Sequence, residues 1–224
     1  MNYEWQWDFV WDILPQLVTK GAVLTIKLTT MSVLIGTAIG LVIALLRLSG
    51  FKPFKWFAVA YTDFFRGTPL LVQIMIVQYA LPIVFGYVPN LWVNAVAALS
   101  VNSGAYVAEI FRAGIQSIDK GQMEAARSLG MSRAQSMRYV ILPQAFKISI
   151  PPLGNEFIAL LKDSSLVSII GFQELMNTGK LIVGRQPRVL ETYLTVAVLY
   201  LIMTMSISQL VAYAERRLHT GDSH

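Results

Sequence analysis

Between Gly67 and Ala108 the chain carries no charged side chain. A stretch that long cannot be covered by a small domain in water. A bilayer core takes about 20 apolar residues per helical span, so it suits two spans joined by a turn. Gly86-Tyr87-Val88-Pro89-Asn90 supplies the turn chemistry. Leu28 to Leu46 and Thr192 to Ala214 are two further uncharged runs, and a fifth, between Ile148 and Gly171, is interrupted by Glu156, Lys162 and Asp163. Only 14% of residues are charged and mean hydropathy is +0.55, whereas soluble domains carry roughly 25% charge. Transmembrane barrels would read as short alternating segments. The pattern predicts an all-α integral membrane protein, one domain over 1–224, with spans near 22–47, 57–85, 91–111, 148–171 and 190–214.

The remaining composition narrows the function. Tyr3, Trp5, Trp7 and Trp11 in an acidic start suit an interfacial segment over residues 1–20. The chain has no cysteine, which excludes disulfides, thiol catalysis and thiolate metal sites. No residues have metal-ligand spacing, and His219 and His224 sit in the tail. Positive charge in short loops sets orientation. Arg47, Lys52 and Lys55 follow the first span, while Arg112, Lys120, Arg127, Arg133, Arg138 and Lys147 follow the third, and Arg216 and Arg217 follow the last. Those loops share one side, so the N-terminus is expected outside and the C-terminus in the cytoplasm. Lys180, Arg185 and Arg188 are the exception. The net charge of +5 therefore reads as inner-leaflet anchoring to membrane lipids. Nucleic-acid binding would need a soluble basic face with stacking aromatics.

The polar region 113–146 contains the motif EAARSLGMSRAQSMRYVILP, Glu124 to Pro143. Asp119 is placed to cap a helix over Lys120 to Leu129. Gly130 fits the position after it, where positive φ costs little, and Ser132 can cap a second helix, Arg133 to Leu142. Pro143 lacks an N–H and disfavours helix before it, so a turn toward the fourth span is expected there. By helix physics alone this is either a rigid knob that transmits force or an amphipathic connector. Glu124, Ala125, Ala126, a Gly six positions after the Glu, nine residues, the aliphatic Val140, one more, then Leu142-Pro143 resemble the coupling motif of ABC importer permeases. Val140 stands where Ile is usual.

The resemblance extends to FRGTPLLVQ (Phe65 to Gln73), AGIQSI (Ala113 to Ile118) and GNEFIALLKDSSL (Gly154 to Leu166), all similar to the polar amino-acid subfamily. It implies a five-span bundle of the type I importer kind in the bacterial inner membrane, with 113–146 as a cytoplasmic coupling region. It also implies a separate ATPase pair carrying ATP and Mg, a solute-binding protein and a second permease copy or relative. Small Ala125 and Ala126 would permit close approach by the ATPase, and Glu124 would pair with a basic group on it. The chain itself has no Gly-x-x-x-x-Gly-Lys-Ser/Thr phosphate loop, so no cofactor is expected on it. A self-sufficient secondary transporter would call for an ion relay and an internal repeat. An enzyme would call for a nucleophile–base or paired-carboxylate constellation.

A charge at the bilayer centre costs about 2.5–3.5 kcal/mol on insertion scales, so Glu156 needs a reason. With Asn155 it would line the path and meet a substrate ammonium, favouring cationic or neutral polar amino acids, with Lys162 or Asp163 orienting the zwitterion. The alternative is an internal pair with Lys162 or a base on another helix. Asn102, Ser103, Tyr106 and Gln73 are further path candidates, for which helix–helix hydrogen bonding is an equal explanation. Arg66 could reach headgroups or close a gate with Asp63 or Glu109. Gly36 and Gly40 permit close helix packing.

Overall fold

A computed structural model describes residues 3–219 as a bundle of eight helices, with no strand among the described residues. Helix α1 (Trp7–Leu48) is continuous. Pro15, which lacks an N–H and crowds the turn before it, is followed by a π-helical stretch at Leu17–Ala22, a local widening that keeps the helix running past the disturbance. Of the segment expected to lie separately at the interface, residues 7–20 are instead the first turns of α1. Helix α2 (Lys52–Gly67) starts with Pro53 in its first turn and stops at Thr68, which precedes Pro69 and is extended (φ −115°, ψ 146°). Helix α3 (Leu70–Phe85) then leaves at 104°. The single span expected over 57–85 is therefore broken in two.

Polar side chains hold that break. Gln73 Nε2 donates to Phe65 O (2.9 Å), Thr68 O (3.1 Å) and Thr68 Oγ1 (2.9 Å), and Asn102 Nδ2 donates to Gln73 Oε1 (2.9 Å). Free carbonyls at a helix break are costly away from water, and these amides satisfy them. Gly86 (φ +68°) ends α3, and Asn90 caps α4 (Leu91–Gln116) through Val93 N at 3.1 Å.

Helices α1 and α4 run parallel along a seam of small residues. A Cβ on Gly36 would lie 3.0 Å from Ser103 Cβ, and one on Gly40 would lie 2.5 Å from Val107 Cγ1. The Gly36/Gly40 pair therefore packs within the chain. Helix α5 (Lys120–Ser128) follows. Helix α6 (133–163) includes a π-helical stretch at Met137–Ile141 and passes into a 3-10 stretch, Ser164–Ile170. The turn expected at Pro143 does not occur. The preceding π stretch removes the regular i−4 hydrogen bond that proline would break, and α6 continues.

Helix α7 (Leu175–Arg185) is capped by the buried carboxylate of Glu174, which accepts from Met176 N (2.8 Å) and Asn177 N (2.6 Å). Helix α8 (Val189–His219) ends the described chain. Helices α1, α4 and α8 are each long and apolar enough to cross a membrane, and α2 with α3 make a fourth such unit as a bent pair. One core joins Leu28, Ile74, Leu99, Leu160 and Phe172, and a second joins Phe9, Leu17, Leu161, Leu175 and Ile182. Together they clamp α6, whose Glu156, Lys162 and Asp163 interrupt its apolar run.

Candidate functional site

Two regions gather the predicted residues. The first is a cavity of about 600 Å³ between α4 and α6, lined by Arg66, Tyr106, Glu109, Pro152, Asn155 and Glu156 among others. Glu156 accepts from Ser103 Oγ at 2.9 Å, so its partner is a neutral hydroxyl on α4. Among the described residues it forms no ion pair with Lys162. Arg66 stacks over the Tyr106 ring, 5.5 Å from its centroid, a geometry that favours a cation on the π face. Its guanidinium also lies 4.0 Å from Glu109 Oε2, so of the two carboxylates considered for it, Glu109 is the neighbour.

Glu109 is the centre of a charge cluster. Arg47 of α1 approaches Glu109 Oε2 at 2.8 Å and donates to Thr62 Oγ1 at 3.1 Å. Arg112 pairs with the same carboxylate from one turn along α4. Three guanidiniums from three helices share one acid. Arg66 is the most distant and most exposed of the three, so it is the one freest to turn toward the cavity. Arg47 and Arg112 had signalled only orientation, because span-flanking cations are already explained by topology.

The other path candidates lie elsewhere. Asn102 and Gln73 are buried and bonded to each other at the α2–α3 break. Helix bonding accounts for Asn102, although Gln73 also borders a second, mainly apolar cavity. Lys162 lines a separate cavity of about 410 Å³ with Tyr193 and Tyr200. Asp163 ends α6 and faces outward. Among the described residues, no group of three or more His, Cys, Asp or Glu could hold a metal ion.

The second region is the motif at Glu124–Pro143, where local chemistry builds a defined shape. Asp119 Oδ1 accepts from Gly121 N at 2.7 Å, starting α5. Gly130 takes φ +84°. Met131 N bonds to Ala126 O (3.2 Å) and Gly130 N to Arg127 O (3.0 Å), the paired bonds of a Schellman stop. Ser132 and Gln135 form a reciprocal capping box.

The two halves of the motif face different ways. Val140 and Leu142 pack with Ile115, Ile141 and Leu48 and seat the knob on the ends of α1 and α4. Glu124, Ala125, Gly130 and Pro143 are exposed. Ala126 is only 5% exposed, so close approach from outside is left to Ala125. Leu129 at the tip is 85% exposed. It was missed because a lone leucine in a polar helix looks like an inward-facing residue.

The described chain thus joins apolar helices long enough to cross a membrane, an exposed knob tipped by Leu129 and a cavity between α4 and α6. Residues 36–220 match the family described as the inner membrane component of binding-protein-dependent transport systems, and the chain belongs to that family.

Its relatives make it a permease subunit of the ABC importer type. It is 39% identical over 211 residues to the arginine transport system permease protein ArtQ of Bacillus subtilis (strain 168), covering 93% of this chain and 96% of the relative. It is 38% identical over 216 residues to the glutamine transport system permease protein GlnP of Escherichia coli (strain K12), covering 96% and 98%. Among solved structures, an amino acid ABC transporter with histidines superposes with a TM-score of 0.91 at 45% identity, over 96% of this chain and all of that one. The MetNI methionine ABC transporter shares the fold, with a TM-score of 0.77 at 22% identity over 91% of this chain and 96% of that one.

Proposed function

We propose that this chain is the permease of an importer for polar amino acids, preferring cationic or neutral side chains. The observation that carries the preference is the cavity holding Glu156 and Asn155, with Arg66 and Tyr106 in the same walls. A carboxylate in a low-dielectric wall favours an ammonium or guanidinium, while Arg66 is able to take the substrate carboxylate. In this reading the chain crosses five times, with 148–171 as the fourth crossing, so that the cavity lies within the bilayer and the N-terminus outside. The exposed half of the motif, Glu124, Ala125, Leu129 and Gly130, meets a cytoplasmic ATPase dimer that carries ATP and Mg. Val140, Leu142 and Pro143 seat it. A solute-binding protein delivers cargo on the opposite side, and a second permease copy or relative completes the path. ATP-driven closure of the ATPases then biases an inward-open against an outward-open bundle. Lys162 and Asp163 belong to the outer approach to the path, and Asn102, Ser103 and Gln73 hold its frame.

The decisive experiment is reconstitution with the neighbouring ATPase and binding protein in proteoliposomes. Glu124→Lys and Gly130→Pro should lose ATPase co-purification and uptake together. If both remained intact, docking at this knob would be refuted.

A further inference from the structure

We infer that the start of α2, residues 51–57, is an elbow that holds acidic phospholipid headgroups in the leaflet on the side of the knob. All seven residues of Phe51-Lys52-Pro53-Phe54-Lys55-Trp56-Phe57 are exposed, with Trp56 at 71%. At about 3.6 residues per turn the six helical ones, Lys52 to Phe57, go around the helix more than one and a half times, so no side of this segment is covered by the rest of the described chain. A protein partner would cover one side, whereas a lipid environment covers all of them. The second half of α2 is fixed in contrast. Ala58 and Thr62 are fully buried, and Tyr61 Oη donates to Val101 O at 2.6 Å.

The chemistry selects both the depth and the charge of the surroundings. Four aromatic rings interleaved with two lysines suit the boundary between acyl chains and headgroups, where rings sit in the apolar layer and ammonium groups reach the phosphates. No acidic residue occurs from Ile13 to Thr62, and among the described residues Lys52 and Lys55 make no ion pair. The elbow follows Leu48, which packs against the Ile115 cluster under the knob, so it lies at the knob's end of the bundle. That this end faces the anionic inner leaflet rests on the orientation proposed above. At its far end α2 carries Thr62 and Arg66, which touch the Glu109 cluster. Headgroups gripping the elbow would therefore steady a wall of the cavity.

The absence of cysteine makes a site-specific test direct. The full chain carrying Ala60→Cys, one turn beyond Trp56 on the same face, is labelled with bimane and placed in nanodiscs. Those nanodiscs contain brominated phosphatidylglycerol or brominated phosphatidylcholine at equal mole fraction. The glycerol lipid should quench with a preference of up to about 25-fold, since each of the two lysines near an anionic surface contributes about fivefold. Lys52→Gln with Lys55→Gln should bring the two lipids near parity, and Lys52→Arg with Lys55→Arg should keep the preference. Equal quenching in the unaltered elbow, or no quenching by either lipid because a protein surface covers it, would overturn the inference. Labelling of Gly50→Cys by an impermeant thiol reagent in whole cells reports orientation separately. Reaction from outside would sink the topology while leaving the lipid preference to be judged by the quenching.

Discussion

Glu156 was conspicuous in the sequence because a carboxylate inside an apolar run has to be accounted for, and its cavity lining gives the account. Its bond to Ser103 survives amidation, so Glu156→Gln should leave the fold intact. We expect at least a tenfold rise in the half-saturating concentration for cationic amino acids in proteoliposome uptake, with ATPase co-purification unchanged. Unaltered uptake across polar amino acids would remove Glu156 from the path. Gly40 is a different case, since its pattern with Gly36 announced close packing without naming the partner. The added side chain in Gly40→Leu meets Val107 at the seam, and overpacking of this kind costs about 1–3 kcal/mol. A lowered melting temperature in detergent checks it. Glu109 was considered only as a neighbour of Arg66, because Arg47 and Arg66 join Arg112 at its carboxylate only after α1, α2 and α4 have packed.

Elements were legible wherever local chemistry decides them. Asp119, Gly130 and Ser132 act within three residues of themselves, and each does what its type suggests. The prolines were harder to read. Pro69 breaks a span and Pro143 does not, because a π stretch precedes only the second. That widening depends on how α6 settles against its neighbours, not on the flanking residues alone. The positive φ of Gly130 yields a prediction for the whole knob. Gly130→Val places a β-branched residue in left-handed backbone, costing roughly 1–2 kcal/mol. It should weaken co-purification with the ATPase more than it lowers thermal stability. Leu129→Asp changes an 85% exposed side chain, so it should uncouple ATPase stimulation from substrate while the unfolding free energy stays within about 0.5 kcal/mol of the unaltered chain.

At the scale of the molecule, the three uncharged runs and the all-helical class follow from the sequence pattern alone. The parallel pairing of α1 with α4 and the return of the first residues to the last helix do not. Tyr3 Oη donates to Glu191, and Arg188 Nη1 reaches Glu4 O at 3.2 Å. Glu191 is fully buried there. Tyr3→Phe removes this donor to Glu191 and should lower the melting temperature with cargo affinity unchanged. An equal melting temperature would mean that the contact holds nothing in place.

That contact joins residues 188 positions apart, which has a bearing on how the protein is made. Tyr3 leaves the ribosome 188 positions ahead of its acceptor. Until α8 has been inserted, one rim of the bundle stays unfastened, and a chain halted early retains an open edge there. Fastening of that rim therefore waits on α8, which carries Glu191 and begins directly after Arg188.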